Sequence, residues 1–262
     1  MNMVNPDIVT GQVPGILFRE SERLPFTELN SPALIILKTD TVRTDELERL
    51  GGFLSEKEIA KSRRFRFSRD RVSYIVVHGL LRWLLGGYLG IPPETIDITY
   101  NASGKPSVSG YSRQIFFNLS HSSGLSVLAF DPENEIGADV ERIDHDFDYE
   151  TIVQHFFSPE EGRYIFDLKE ESRQRFYEIW TRKEALLKAV GIGITENLHL
   201  EVLKERINVV ALNGDMPGNG DFLFSSVMFE QNFRITLAMS ECSSGINAFI
   251  IGNNNRLPIT EA

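Results

Sequence analysis

Two short segments hold the residue types best suited to chemistry. The first is Trp180-Thr181-Arg182-Lys183-Glu184-Ala185-Leu186-Leu187-Lys188, and the second is Ile136-Gly137-Ala138-Asp139-Val140-Glu141. In a helix, Trp180, Glu184 and Lys188 fall at i, i+4 and i+8 and form one stripe. In a strand, Asp139 and Glu141 point to one side, about 7 Å apart, while Ile136, Ala138 and Val140 take the other. A fold that joins helix and strand brings three carboxylates together with two lysines, Lys183 and Lys188. Such a group can hold a divalent cation and a phosphorylated substrate, with a base beside them. It points to an enzyme of phosphate-group transfer.

Each piece also has an ordinary reading. Asp139 and Glu141 alone describe a half-solvated strand. Glu184 and Lys188 alone are a surface pair contributing about 0.2–0.5 kcal/mol. Trp180 on the same stripe argues against full exposure, because a large aromatic is usually mostly buried. Glu184 then sits at the edge of a packed surface, where its pKa can be tuned for base work. Lys183 points about 100° away around the helix and reaches a phosphate only from another wall. Phe117-Asn118-Leu119-Ser120-His121-Ser122-Ser123-Gly124 reads as a serine-rich loop between two strands. Its hydroxyls, imidazole and turn amides could cradle phosphate. Gly104-Lys105-Pro106 is a turn with one candidate anion contact. The run Arg63, Arg64, Arg66, Arg69, Arg71 is an exposed basic face by default, and in an acidic chain the natural place to hold phosphate.

The chain has 262 residues, 42% hydrophobic and 24% charged, with a net charge of −10 and a pI of about 5.1. This composition is that of a globular protein with a sizeable core. The acidic balance argues against nonspecific binding to nucleic acid or an anionic membrane. Cys242 is the only cysteine, so no intrachain disulfide forms. The first residues lack the basic segment and apolar run of a signal peptide. The longest apolar stretch, Tyr74 to Ile91, contains His78 and Arg82 and reads as a buried amphipathic helix, since a mid-membrane arginine is costly. A cytoplasmic location is expected.

The elements that must position these groups follow from periodicity and caps. Ala33–Lys38 reads as a strand and Thr44–Leu50 as a short helix. Ser55 caps a second helix, with Glu58 closing a capping box. A long helix runs from about Arg69 to Leu89 and stops at Gly90 and Pro92. Strands are expected over Ile96–Tyr100, Gln114–Leu119, Leu125–Phe130 and Ile136–Ile143. Helices follow over Asp148–Phe156, Pro159–Asp167 and Ser172–Val190, the last ended by Gly191. The remainder reads as strands, Ile207–Leu212, Phe222–Phe229, Phe233–Met239 and Ile246–Ile251, with turns at Asn213-Gly214-Asp215 and Gly218-Asn219-Gly220-Asp221. Residues 1–29 show no clear period. The expected fold is α+β in two similar halves, 1–134 and 135–262, each a long helix on a small, mainly antiparallel sheet.

The order of the motifs carries more than any one of them. Arg63-Arg64-Phe65, Gly104-Lys105-Pro106, Phe117-Asn118-Leu119-Ser120-His121-Ser122, Ile136 to Glu141, Phe156-Phe157-Ser158-Pro159-Glu160-Glu161, and Trp180 to Ala185 with Lys188 follow one another. This series resembles the 4′-phosphopantetheinyl transferase superfamily, in its larger, surfactin-synthetase-activating type. The resemblance covers about Ser55 to Gly191. It implies halves related by a pseudo-twofold axis, with coenzyme A as co-substrate in the cleft between them. It implies transfer of the 4′-phosphopantetheine arm to a serine of an apo acyl or peptidyl carrier protein, releasing adenosine 3′,5′-bisphosphate. Asp139, Glu141 and Glu184 match the family's ligands for Mg²⁺, with Mn²⁺ as the alternative ion. Glu184 also matches the general base, and Lys188 the lysine at the pyrophosphate. Lys105, Ser120 and His121 match coenzyme A contacts, with His121 near the 3′-phosphate. Lys61, Arg63 and Arg64 fall where basic phosphate contacts lie, and Lys183 is a further candidate. Ala138 stands where Ile or Val is usual, and Glu58 where some relatives carry lysine. A monomer without nucleic-acid or membrane partners is expected. The rival readings are a metal-dependent phosphohydrolase of nucleotides or coenzyme A, and a non-catalytic module that binds carrier proteins.

Overall fold

The structure is a computed structural model and describes residues 16–19, 29–193, 200–204, 206–208, 220–240 and 245–251. The order begins β1 (Ile16–Arg19), β2 (Ala33–Lys38), α1 (Thr44–Gly52), α2 (Glu56–Ser62), α3 (Ser68–Leu89), β3 (Ile98–Tyr100), β4 (Pro106–Val108), β5 (Phe116–Ser122) and β6 (Leu125–Asp131). It continues with β7 (Ile136–Arg142), α4 (Glu150–Phe156), α5 (Pro159–Phe166), α6 (Ser172–Val190), β8 (Arg206–Asn208), β9 (Asp221–Phe229), β10 (Phe233–Met239) and β11 (Ile246–Ile251).

Local chemistry sets the helix ends. Ser55 and Ser158 each open a helix through a reciprocal capping box with Glu58 and Glu161. The two long helices, α3 and α6, each stop at a glycine in the left-handed region, Gly90 at φ 71° and Gly191 at φ 76°.

One sheet has the order β1-β11-β2-β6-β5, parallel at β1–β11–β2 and antiparallel at β2–β6–β5. The other is antiparallel, in the order β7-β10-β9-β8, and β3 pairs with β4 as a separate hairpin. Alternation along the strands divides the core. On one face of the first sheet, Ile35, Leu37, Leu128 and Phe130 pack with Leu80, Leu81, Leu84 and Leu85 of α3. On its other face, Leu34, Ile36, Val127 and Ala129 pack with Ile136, Ala138, Val140, Ile235 and Leu237 of the second sheet. Ala185 and Ala189 of α6 join the cluster containing Phe224 and Ala238 on the far side of that sheet. The layers are therefore helix, sheet, sheet, helix. β2 and β6 are covered on both faces, and their middles, Ala33–Leu37 and Val127–Phe130, read as apolar runs and not as alternating ones.

The architecture is the expected α+β one, and the long apolar helix packs its leucines into the core. Three details differ from the sequence reading. Neither β1 nor β4 was foreseen. The last described strand returns to the first sheet, between β1 and β2, so a cut at 134/135 assigns β11 to the wrong sheet. The serine-rich segment is strand through Ser122, and the hairpin turn is only Ser123 and Gly124, at φ 47° and 88°. The expected turn at 213–215 and the end of the strand expected to reach Leu212 lie outside the described residues.

Candidate active site

The site forms where the edges of the two sheets meet. β7 is an edge strand, and its outward N–H groups need partners. Side chains from β5 supply them: Ala138 N donates to Asn118 Oδ1 at 3.1 Å, and Arg142 N donates to Ser122 Oγ at 3.1 Å. Strand alternation puts Asn118, Ser120 and Ser122 on one face of β5. The hydroxyls continue into the carboxylates, with Ser120 Oγ donating to Asp139 Oδ1 and Ser122 Oγ to Glu141 Oε2, both at 2.9 Å.

α6 closes the site from the other side. It approaches β7 at Gly137, where an added Cβ would stand 2.9 Å from Ala189 Cα and overlap Ala185 O and Ala189 N. Only glycine permits that approach. Thr181 of α6 and Thr236 of β10 are hydrogen-bonded at 2.7 Å. The stripe Trp180, Glu184, Lys188 then lies along Glu141 and Asp139. Lys188 Nζ donates to Asp139 Oδ1 at 2.6 Å and to Ser120 Oγ at 2.9 Å.

The electrostatics follow from crowding carboxylates inside a protein. Burial raises the Glu184 pKa, and the charges of Asp139 and Glu141 raise it further against the pull of Lys188, from 4.5 to about 7. Glu141 is also raised, first by burial and then by Asp139, against Ser122, Lys188 and Trp180. Asp139 Oδ2 is buried and makes no hydrogen bond. Oxygen donors, an orphaned carboxylate oxygen and mutual repulsion fit a hard cation. Among the described residues, no group of three or more His, Cys, Asp or Glu side chains stands in metal-ligating geometry. Beside Glu141 opens a cavity of about 590 Å³, lined by Ser122, Ser123, Phe147, Tyr177 and Trp180 among others. That volume is in the range of small-molecule sites.

The structure thus joins Asp139, Glu141, Glu184, Lys188 and Ser120. Ser120 is buried among the carboxylates and not at a loop tip. His121, one residue on, takes the opposite face of β5 and is exposed. Arg63 and Arg64 are exposed between α2 and α3, and Lys61 lies over the Tyr74 ring at 5.2 Å. No described contact links these four to Asp139. Lys105 is turned inward onto Glu135 and the Ala189 carbonyl. Glu58 is buried against Arg82 at 2.6 Å, part of the core and no phosphate contact.

The structure places Lys183 away from the other site residues: it is 1% exposed, paired with Glu161 at 2.8 Å and bonded to the Leu200 carbonyl, so it holds α6 to α5. The 100° step that takes it off the catalytic stripe puts it in the core. Asn118, Ser122 and the indole of Trp180 belong to the site and were not singled out as such. The signal was there in the period of two across Asn118-Leu119-Ser120-His121-Ser122, once the segment is read as strand.

Residues 135–238 match the 4′-phosphopantetheinyl transferase superfamily, and residues 41–133 match the family of 4′-phosphopantetheinyl transferase N-terminal regions. The chain is 34% identical over 191 residues to the 4′-phosphopantetheinyl transferase HetI of Nostoc sp., covering 68% of this chain and 81% of that one. It is 33% identical over 157 residues to the 4′-phosphopantetheinyl transferase psf-1 of Bacillus pumilus, covering 58% and 64%. The human L-aminoadipate-semialdehyde dehydrogenase-phosphopantetheinyl transferase is 28% identical over 179 residues, covering 64% and 54%. The chain belongs to the 4′-phosphopantetheinyl transferase superfamily and is an enzyme of that class. Both matched regions end before β11, the strand that crosses back.

Proposed function

We propose that this protein transfers the 4′-phosphopantetheine arm of coenzyme A to a serine hydroxyl of an apo acyl or peptidyl carrier protein, with Mg²⁺ as the metal ion. The observation that carries this is the convergence of Asp139 and Glu141 of β7 with Glu184 and Lys188 of α6, Lys188 Nζ standing 2.6 Å from Asp139 Oδ1 and Asp139 Oδ2 buried without a hydrogen bond. Carboxylates so grouped suit a hard cation and a base beside it.

A serine hydroxyl is a poor nucleophile and needs a base. Glu184 takes its proton as the serine oxygen bonds to the β-phosphorus of coenzyme A. The bridging P–O bond breaks, and adenosine 3′,5′-bisphosphate leaves with the electron pair. Lys188 supplies positive charge where the diphosphate develops negative charge. Asp139, Glu141 and Glu184 would hold Mg²⁺, which supplies Lewis-acid neutralisation of the phosphate oxygens when bound. Ser120 and Ser122 orient the first two carboxylates through their hydroxyls. The cavity beside Glu141 supports room for the arm and the incoming serine. The enzyme works as a cytoplasmic monomer, with no nucleic-acid or membrane partner.

The test is mass spectrometry of apo carrier proteins incubated with coenzyme A, Mg²⁺ and this enzyme. A gain of one phosphopantetheine arm per carrier is expected. Free 4′-phosphopantetheine formed without carrier would replace transfer with hydrolysis, and binding of carrier without modification would leave a non-catalytic module.

A further inference from the structure

α6 carries the catalytic stripe to its last turn, where Lys188 sits. The final carbonyls of any helix lack intrahelical partners and need capping. Here the caps come from the β3–β4 hairpin, far away in sequence. Asn101, at the turn between β3 and β4, donates from Nδ2 to the Gly191 carbonyl at 2.8 Å. Lys105, at the end of the same turn, donates to the Ala189 carbonyl and pairs with Glu135, which precedes β7. The turn itself is rigid. Asn101 Oδ1 accepts from Ser103 N at 3.0 Å and from Lys105 N at 2.8 Å, and Gly104 closes the turn at φ 84°. The fit is tight, because a Cβ on Gly191 would stand 2.8 Å from Asn101 Nδ2.

The geometry points to Asn101 as a positioning residue: the Asn101–Lys105 turn clamps the end of α6 against the start of β7 and so sets Lys188 on Asp139. The clamp touches Ala189, next to Lys188, and Glu135, four residues before Asp139. It binds the two elements whose relative position the ion pair requires. This inference rests on the proposed transfer reaction for its kinetic readout. It is placed on Asn101 because Lys105 is also the residue that the resemblance assigns to coenzyme A.

Asn101→Asp is the discriminating variant. It is isosteric and keeps the Oδ1 acceptor that shapes the turn, but it replaces the donor to Gly191 with an oxygen facing an oxygen. Turnover should fall about 10- to 100-fold, the scale expected when a catalytic group shifts by about 1 Å. The KM for coenzyme A should stay within about two-fold, as expected for an interaction made only in the transition state. Amide exchange at Gly191 and Ile192, whose N–H groups bond to Leu187, should quicken, and the Lys188 side-chain NMR signal should move. Lys105→Met should move that signal the same way. Turnover kept within two-fold, even with a lower melting point, would make the contact merely structural and overturn the inference. A raised KM with turnover intact would make Asn101 a ligand contact and overturn it too. If the wild-type enzyme modifies no carrier, the functional reading fails, and the Lys188 signal alone then decides the clamp.

Discussion

Replacing Gly137 with alanine tests the helix-on-strand contact that builds the site. The new methyl would meet Ala185 O, Ala189 N and Ala189 Cα, the last at 2.9 Å, where ordinary contact begins near 3.4 Å. All three are backbone atoms of α6, so no side chain can swing away, and helix or strand must retreat. A retreat of roughly 1 Å is the scale at which misplacement costs about 100-fold in rate. It would stretch the Lys188–Asp139 pair from 2.6 Å and the Thr181–Thr236 bond from 2.7 Å past hydrogen-bonding distance. Overpacking of this kind costs about 1–3 kcal/mol, here toward the upper end. For a chain of this size about 3 kcal/mol lowers the melting midpoint by roughly 6–12 °C. Circular dichroism and a carrier-modification assay read the two effects. The control is Gly87→Ala on α3, an exposed position with nothing within 4 Å of the added Cβ. It should leave activity intact and stabilise by up to about 1 kcal/mol. Near-normal turnover and melting in Gly137→Ala would refute the close approach of α6 to β7, and with it the placement of Lys188.

Other outcomes follow from the charged groups. Glu184→Gln should cut turnover by about 10²–10⁴-fold. Because the folded value of Glu184, about 7, lies above 4.5, the folded state holds the extra proton. Its contribution to stability is therefore lost as pH rises from about 4.5 to 7, and Glu184→Gln should flatten that slope in melting curves. Lys183→Met should leave Glu161 buried and unpaired, costing about 3–5 kcal/mol with the KM for coenzyme A unchanged; a selective rise in KM would restore Lys183 to the site. Burial pushes the Glu58 carboxyl up, but the nearby His78 ring at 3.7 Å, hydrogen bonds from Ser55 and the charge of Arg82 bring it down to about 2. That stability is present above 4.5 and lost as pH falls toward 2, so Arg82→Met should destabilise at neutral pH and shrink the acid-induced loss, as seen in urea titrations.

The sequence made the helices legible because caps and stops are local. Ser55, Gly90 and Gly191 act through neighbours within five residues, and each works as read, while the capping box of Ser158 is an equally local signal that was passed over. The catalytic stripe was legible for a similar reason, since a helix fixes which side chains share a face wherever it packs. What the sequence could not reveal was the destination of each cation. Lys183 and Lys188 are the same residue type on one helix, yet one is buried on Glu161 and the other meets Asp139. Only the direction of the neighbouring elements separates them. β11 escaped assignment to its sheet because strand pairing across the whole chain leaves no local mark.

The serine-rich segment shows why a motif's composition misleads about its geometry. Hydroxyls and a turn glycine suggested a loop that wraps a phosphate. In the fold, the same residues form a sheet edge whose polar face satisfies a second edge, with Asn118 and Ser122 accepting from β7 amides. A serine that bonds the backbone of one strand and the carboxylates on it has little freedom left to wrap a ligand. It does something else for the reaction. Ser120 and Ser122 hold Asp139 and Glu141 fixed from below, while α6 fixes Glu184 and Lys188 from above. The meeting of two rigid faces buries these carboxylates and crowds them together, and burial first, then the charge of Asp139, raises the Glu184 pKa.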